Sequence, residues 1–148
     1  MLVYNHAKKM IADGSLNLLT DTIKVMLVGP SYVPNPDDDF VMASGAGDAE
    51  INGQGYEAGW GKTGRKTLMN KIITEDDAND RVVFDADDVL WTAINAGTVQ
   101  AAILIREGAS SDSTSVLVAY IDQGGFPIVT NGGDLTIQWS MNGIIQFA

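Results

Sequence analysis

Hydrophobic residues recur at helical spacing only near the start of the chain. Ala7, Met10 and Ile11 would share one face of a helix. Asn5 belongs to the residue types that cap helix starts, and a glycine follows where such a helix would stop. The pattern predicts one short helix over residues 5–12, which we expect to pack on the edge of a sheet.

Short apolar runs between turn residues predict strands along most of the remaining chain. The first covers residues 23–28 and ends at Gly29-Pro30. Seven later runs are rich in β-branched and aromatic residues: TLMNKIIT, RVVFDA, VLWTAI, TVQAAILIRE, SVLVAYID, DLTIQWS and GIIQF. AAILI and VLVAYI are apolar on both faces, so we expect them to be central strands. LTIQWS alternates, as is typical of a strand with one face in water.

These elements predict a mainly β fold. We expect one domain over residues 1–148, an antiparallel β-sandwich or jelly roll with a short N-terminal helix. Residues 31–66 differ, because they are rich in Gly, Pro, Asn and Asp and show no sustained period; residues 40–42 could form a short strand. A structureless segment of this length is unusual inside a compact domain, so we expect a functional loop or arm.

Composition narrows the possible partners. Lys and Arg number 9 against 19 Asp and Glu, which gives a net charge of −10. Such a chain repels phosphate backbones at long range, so we expect no nucleic-acid partner. No apolar run approaches the ~20 residues of a membrane helix, and no signal-peptide pattern opens the chain; we expect no membrane partner. The absence of cysteine excludes disulfides and thiolate chemistry.

The acidic stretch TEDDANDRVVFDADDVLW, residues 74–91, holds seven carboxylates around a short apolar strand. Neither DANDR nor DADDV continues as an EF-hand loop, which needs a glycine at its sixth position. Asp and Asn side chains fix turns by bonding to nearby backbone N–H groups. We therefore interpret these carboxylates mainly as turn formers. The alternative is a calcium site built from several loops that includes Asp85, Asp87 or Asp88.

Catalytic motifs are incomplete. GWGKTG matches the end of a phosphate-binding loop, but Tyr56 stands where that motif requires its first glycine. His6 is the only histidine, and no nucleophile elbow accompanies it. Paired carboxylates could hydrolyse glycosides, although so many acidic residues form pairs by chance. We expect no enzyme activity, no cofactor and no metal.

Three segments together resemble a known group of proteins: VYNHAKKMIADGSLNLLTDTIKVMLV, FDADDVLWTAINAGTVQAAILIREG and LVAYIDQGGFPIVTNGGDLTIQWSMNGII. They resemble small structural proteins encoded among the virion genes of tailed bacteriophages and prophages. The members with an assigned role are capsid decoration, or cement, proteins. The resemblance covers both ends and the middle of the chain, and residues 31–66 fall outside it. It implies a virion structural protein, more specifically a decoration protein on the outer capsid surface, assembled in the cytoplasm of the bacterial host.

The resemblance also implies partners. These are the major capsid protein and further copies of this chain. We expect a homotrimer, because shell decoration proteins often match local three-fold positions. AAILI and VLVAYI also offer more apolar surface than a small sheet must bury internally.

The segment 31–66 supplies candidate contact residues for the shell. Aromatic side chains dominate interface energetics, and basic residues in an acidic chain could meet an acidic patch. The candidates are Tyr32, Phe40, Tyr56, Trp60, Lys62, Arg65 and Lys66. A tail or head-fibre component is the alternative within the virion. A carbohydrate-binding β-sandwich module, with Tyr56 and Trp60 on one exposed platform, is the alternative from another class.

Overall fold

The computed structural model describes all residues from Met1 to Ala148 as twelve short strands and two helices. In chain order these are β1 (Leu2–Val3), α1 (Asn5–Ala12), β2 (Ile23–Val28), α2 (Val41–Ser44), β3 (Lys66–Thr67), β4 (Ile72–Asp76), β5 (Arg81–Asp85), β6 (Val89–Trp91), β7 (Thr98–Val99), β8 (Ala101–Arg106), β9 (Val116–Ile121), β10 (Ile128–Val129), β11 (Leu135–Ile137) and β12 (Ile145–Phe147). A single 3-10 turn, Asp77–Asn79, joins β4 to β5.

The largest sheet has five antiparallel strands in the order β1-β9-β8-β2-β3. β2 pairs with β8 over its whole length, from Ile23 opposite Arg106 to Val28 opposite Ala101. β8 and β9 are buried almost throughout, which confirms them as central strands. Their apolar faces are used inside the domain, so they do not offer the surface expected for a trimer contact. The trimer itself stays a prediction.

Three smaller antiparallel sheets complete the fold. β12-β5-β4 is three-stranded, and β11-β6 and β10-β7 are pairs. With 34% of residues in strands and 10% in helices, the chain is mainly β and forms a single β-sandwich-like domain, as predicted. One core cluster of 36 buried residues draws on all four sheets and on α1. Neither helix has the length and hydrophobicity needed to cross a bilayer.

The N-terminal helix has the predicted bounds and buries the predicted face. α1 packs against β9, with Ala7 and Met10 buried. Its start differs from the expectation, because Tyr4 occupies the capping position and no side chain caps the helix. Asn5 is instead the first helical residue. Its amide Nδ2 donates to Asp37 Oδ1 at 2.7 Å and so ties the helix to the long loop.

Residues 31–66 form a long loop that is folded onto the sheets rather than an extended arm. Ile51 N donates to Leu27 O at 3.1 Å, and Leu117 N donates to Asp39 O at 3.0 Å, so the loop contacts both β2 and β9. The strand expected at residues 40–42 was wrong. Phe40 makes one isolated bridge, and the next residues form the helical turn α2, because the fully buried Val41 turns into the core rather than along a partner strand.

Candidate functional site

The seven predicted contact residues fall into two groups. Tyr32, Tyr56 and Arg65 are buried, so their prediction as partner contacts was wrong. Each holds the loop onto the body of the molecule instead. The hydroxyl oxygens of Tyr32 and Tyr4 lie 2.9 Å apart. The Tyr56 hydroxyl accepts from the backbone of β2 at 3.0 Å and donates to a Glu50 carboxylate oxygen at 2.8 Å.

The other four candidates remain at least partly accessible, but they are not gathered into one patch. Trp60 is exposed, and its Nε1 donates to Gly108 O at 2.6 Å. Lys62 Nζ lies 3.3 Å from Glu57 Oε1. Phe40 and Lys66 are half-buried. Because Tyr56 is buried, it cannot join Trp60 in the exposed aromatic platform expected of a carbohydrate-binding module.

Beneath the loop lies a buried charge cluster, here called the Arg65 cluster. It comprises Lys24, Glu50, Arg65, Glu107 and Asp112. The guanidinium makes two-pronged contacts with two carboxylates: Nε and Nη2 donate to Glu50 at 2.9 and 2.7 Å, and Nη1 and Nη2 donate to Asp112 at 2.8 Å each. The Arg65 and Glu50 side chains are 0% and 1% exposed.

The electrostatics of the Arg65 cluster indicate a structural role. Burial alone would raise the pKa of Asp112, but hydrogen bonds from Arg65 and Ser115, with the charge of Arg65, hold that pKa below its ordinary value. Burial would likewise lower the pKa of Arg65, and the carboxylates of Asp112 and Glu50 raise it instead. The three carboxylates are already bonded within the chain, and no buried polar side-chain atom lacks a partner. A closed, fully bonded cluster leaves no acid or base for a substrate.

The acidic stretch fixes local structure, in agreement with its interpretation as a set of turn formers. Asp76 accepts from Asn79 and Arg81, and these hydrogen bonds lower the pKa of its carboxyl. Asp85 accepts from the next backbone N–H at 2.9 Å. Asp88 accepts from the backbone N–H of Trp139 at 2.9 Å. No group of three His, Asp or Glu side chains in the chain is arranged to hold a metal ion.

An open apolar groove of about 350 Å³ lies between the end of α1 and the β12-β5-β4 sheet. We call it the hairpin groove. Its apolar lining residues are Ile11, Leu16, Leu18, Ile73, Val82 and Phe147. The two leucines are buried, whereas Ile73 is 41% exposed. β4 has β5 as its only neighbour, so Ile73 stands on an edge strand with one free backbone edge.

One end of the hairpin groove adjoins a group of acidic side chains. A second depression, lined in part by Glu75, Asp77 and Asp80, shares Val82 and Phe147 with the groove. These three carboxylates, here called the acidic end, form no ion pair in the chain. The neighbouring Arg81 is committed elsewhere, since its Nε lies 2.7 Å from Asp76 Oδ2. The surface is therefore apolar along its length and negative at its end.

Sequence reasoning missed the hairpin groove because its walls come from distant segments. Residues 11–18, 73–82 and 147 meet only in the folded chain. The sequence did carry one sign of the groove, the pair Ile72-Ile73 directly before a run of carboxylates. Adjacent residues of a strand lie on opposite faces, so this pair makes both faces of the strand apolar. Comparisons of this chain with protein-family models, with curated proteins and with solved structures found no match.

Proposed function

We propose that this protein is a structural component of a tailed-bacteriophage virion that decorates the outer capsid surface and reinforces the shell. The observation that carries the proposal is the hairpin groove, an exposed apolar surface that ends in unpaired carboxylates. The resemblance of three sequence segments to small virion proteins gives it a context. The contact is the hairpin groove, in place of the loop 31–66, because Tyr32 and Tyr56 of that loop are buried and the indole N–H of Trp60 is already bonded to Gly108 O.

A cement protein works by adding contact area that must be broken before the shell opens. Apolar surface contributes about 25 cal/mol for each Å² removed from water, so a groove that takes two or three apolar side chains supplies a useful part of that contact. The partner that fits is an extended segment of the major capsid protein with apolar side chains and an adjacent Lys or Arg. The apolar residues occupy the groove, and the basic residue meets the acidic end.

A protein that reinforces a shell must also be rigid itself. The Arg65 cluster joins the long loop, through Glu50, to the segment after β8, through Glu107 and Asp112. Tyr56 adds a further bond from the loop to β2. The loop is thus bound to the largest sheet at several points. On the groove itself, Leu16 and Leu18 belong to the buried core cluster, so the groove is built on packed residues.

The test mixes capsids purified without this protein with the wild-type chain and with three variants, Ile73→Ser, Ile72→Ser and Glu75→Lys. Wild type should bind the shells and co-sediment with them. Ile73→Ser should weaken binding at least about tenfold, as truncation of an interface anchor does. Ile72→Ser is the matched control, because Ile72 is the neighbouring residue on the same edge strand, is 52% exposed, and points to the opposite face. It should bind as wild type does.

Circular dichroism melts of all three variants first establish that each is folded. Equal loss of binding in the two serine variants would show that the hairpin groove is not the contact. If folded wild type does not bind the shells at all, decoration is wrong, and a tail or head-fibre position becomes the better account. Glu75→Lys reverses one charge of the acidic end and should weaken binding to the shells. The loss of affinity should be larger at low salt than at high salt, because salt screens the interaction between charges.

A further inference from the structure

A second cavity lies apart from the hairpin groove and shares no residue with it. It has a volume of about 460 Å³ and is formed where the end of β9 and the loop after it face β10, β11 and β12. Its walls include Trp139, Phe126, Thr136, Gln123 and Gln138. A volume of this size falls in the range of roughly 300–1,000 Å³ that small-molecule sites occupy.

The lining of this cavity carries no ionisable side chain. Charged residues make up 19% of the chain, yet none of the 14 lining residues is Asp, Glu, Lys, Arg or His. Half of the lining residues are hydrophobic, and all of the others are glutamines, glycines or hydroxyl residues. The N-terminal ammonium of Met1 is the one charged group of the lining, and it lies 3.5 Å from Asp122 Oδ1. Because that charge is already paired, an anion or a cation would lose its hydration here without gaining a counter-charge. The ligand that fits is neutral, has many hydroxyl groups and has one apolar face.

Trp139 is fixed in place before any ligand arrives. Its indole Nε1 donates to Asp87 O at 2.9 Å, and its backbone N donates to Asp88 Oδ1 at 2.9 Å. The side chain also packs on the core and is half-buried. An aromatic side chain that is already ordered loses little conformational entropy on binding. The backbone carbonyl of Asp87 and the carboxylate of Asp88 thus orient this wall of the cavity.

The exposed amides of the cavity are free to bond. Gln123 and Gln138 are exposed and form no hydrogen bond within the chain. Gln146 shows the contrast, since its Nε2 donates to Asn142 O at 3.2 Å and its Oε1 accepts from Arg81 at 2.9 Å. A primary amide offers two donors and an acceptor. Sugar hydroxyls need both kinds of partner, so free glutamines beside an aromatic ring match their chemistry.

We propose that this cavity binds a neutral saccharide of one or two sugar units. Trp139 lies against the apolar face of the sugar ring, and Gln123 and Gln138 bond to its hydroxyls. This site differs from the Tyr56 and Trp60 platform, which does not form. It is also independent of capsid binding, so either proposal can fail without the other.

The test uses the folded full-length chain labelled with nitrogen-15. Four neutral disaccharides serve as probes: maltose, cellobiose, lactose and N,N′-diacetylchitobiose. Digalacturonic acid is the charged comparison. At least one neutral probe should shift the Trp139 indole N–H and the Gln123 and Gln138 side-chain amide signals, with saturation at millimolar concentration. Digalacturonic acid should leave those signals in place.

Variants then assign the contacts for the neutral disaccharide that binds. Trp139→Ala should weaken binding at least about tenfold. Because Trp139 also packs on the core, Gln138→Ala gives the cleaner result: Gln138 is exposed and unbonded, so folding is unaffected while affinity falls severalfold. Trp60→Ala, at an exposed tryptophan outside this cavity, is the control and should bind as wild type. No shift with any of the four probes, equal binding of digalacturonic acid, or unchanged affinity in Gln138→Ala would each overturn the proposal.

Discussion

The side chain of Arg65 holds the long loop, residues 31–66, against the rest of the molecule. It bonds to Glu50 within the loop and to Glu107 and Asp112 after β8. Removing its charge would leave Glu50, whose side chain is 1% exposed, without its cation. Breaking a buried pair in this way typically costs about 3–5 kcal/mol.

We therefore expect Arg65→Met to lower the free energy of unfolding by about 3–5 kcal/mol, measured by urea denaturation. Lys66→Met is the matched control. Lys66 adjoins Arg65 and is half-buried, but it forms no ion pair; its substitution should change stability by less than about 0.5 kcal/mol. Equal stability of the two variants would mean that water reaches the carboxylates and that the cluster contributes little.

Asp112 makes the same cluster sensitive to acid. Its pKa is lower in the folded chain than in the unfolded chain, through its bonds with Arg65 and Ser115. The stability it contributes is therefore complete above the unfolded value of about 3.9 and is lost as the pH falls through the lower folded-state pKa. We expect the unfolding free energy to decline below about pH 4.

Urea melts between neutral pH and acid test this expectation. Asp112→Asn should be less stable at neutral pH and should show a shallower decline in acid than wild type. Asp48→Asn, an exposed residue in the same part of the fold without an ion pair, should follow the wild-type curve. A decline in Asp112→Asn as steep as in wild type would place the acid sensitivity elsewhere.

The sequence pattern predicted the helices and strands whose bounds depend on neighbouring residues along the chain. The helix at residues 5–12 and the strand at residues 23–28 have the predicted bounds, because amphipathic period and turn residues fix both. The apolar runs AAILI and VLVAYI became β8 and β9, since only a buried central position suits strands that are apolar on both faces.

The long loop could not be placed in the same way. Its Gly-rich and Asp-rich sequence predicts irregular backbone, and the backbone is largely irregular. Whether such a segment stands free or folds back depends on partners far along the chain. Asp112 lies 47 positions from Arg65, and no periodicity links the two. The hairpin groove and the cavity beside Trp139 were missed for the same reason.

Deletion of residues 31–66 should therefore unfold the protein, because the segment is part of the folded domain. The segment contributes Val41, Ile51 and Tyr56 to the core, together with the cation of the Arg65 cluster. We expect the deletion variant to lose the cooperative thermal transition seen by circular dichroism. Val33→Ser, in the same segment but 81% exposed, should melt as wild type does. A folded deletion variant would contradict the role of this loop in the core.

For the whole molecule, net charge opposes self-association. Each chain carries −10, so copies repel one another over about 10 Å at moderate salt and over shorter distances as salt increases. We expect the proposed trimer to be more populated at high than at low salt, as measured by sedimentation velocity. A monomer at every salt concentration would contradict a trimer in free solution. A trimer favoured by low salt would show that attractive ion pairs dominate its interface.

The pairing of β2 with β8 also sets the order in which this chain can fold. Ile23 lies opposite Arg106, and Leu2 in β1 lies opposite Tyr120 in β9, so the largest sheet closes between opposite ends of the chain. Sheets dominated by such distant pairings fold in milliseconds to seconds. A ribosome adds roughly 5–20 residues each second, so β2 is made several seconds before β8 exists. During that interval β2 lacks its partner strand β8, and α1 lacks β9, the strand it packs against. A helix of eight residues is marginal alone in water, so neither element is stable until the second half of the chain is made.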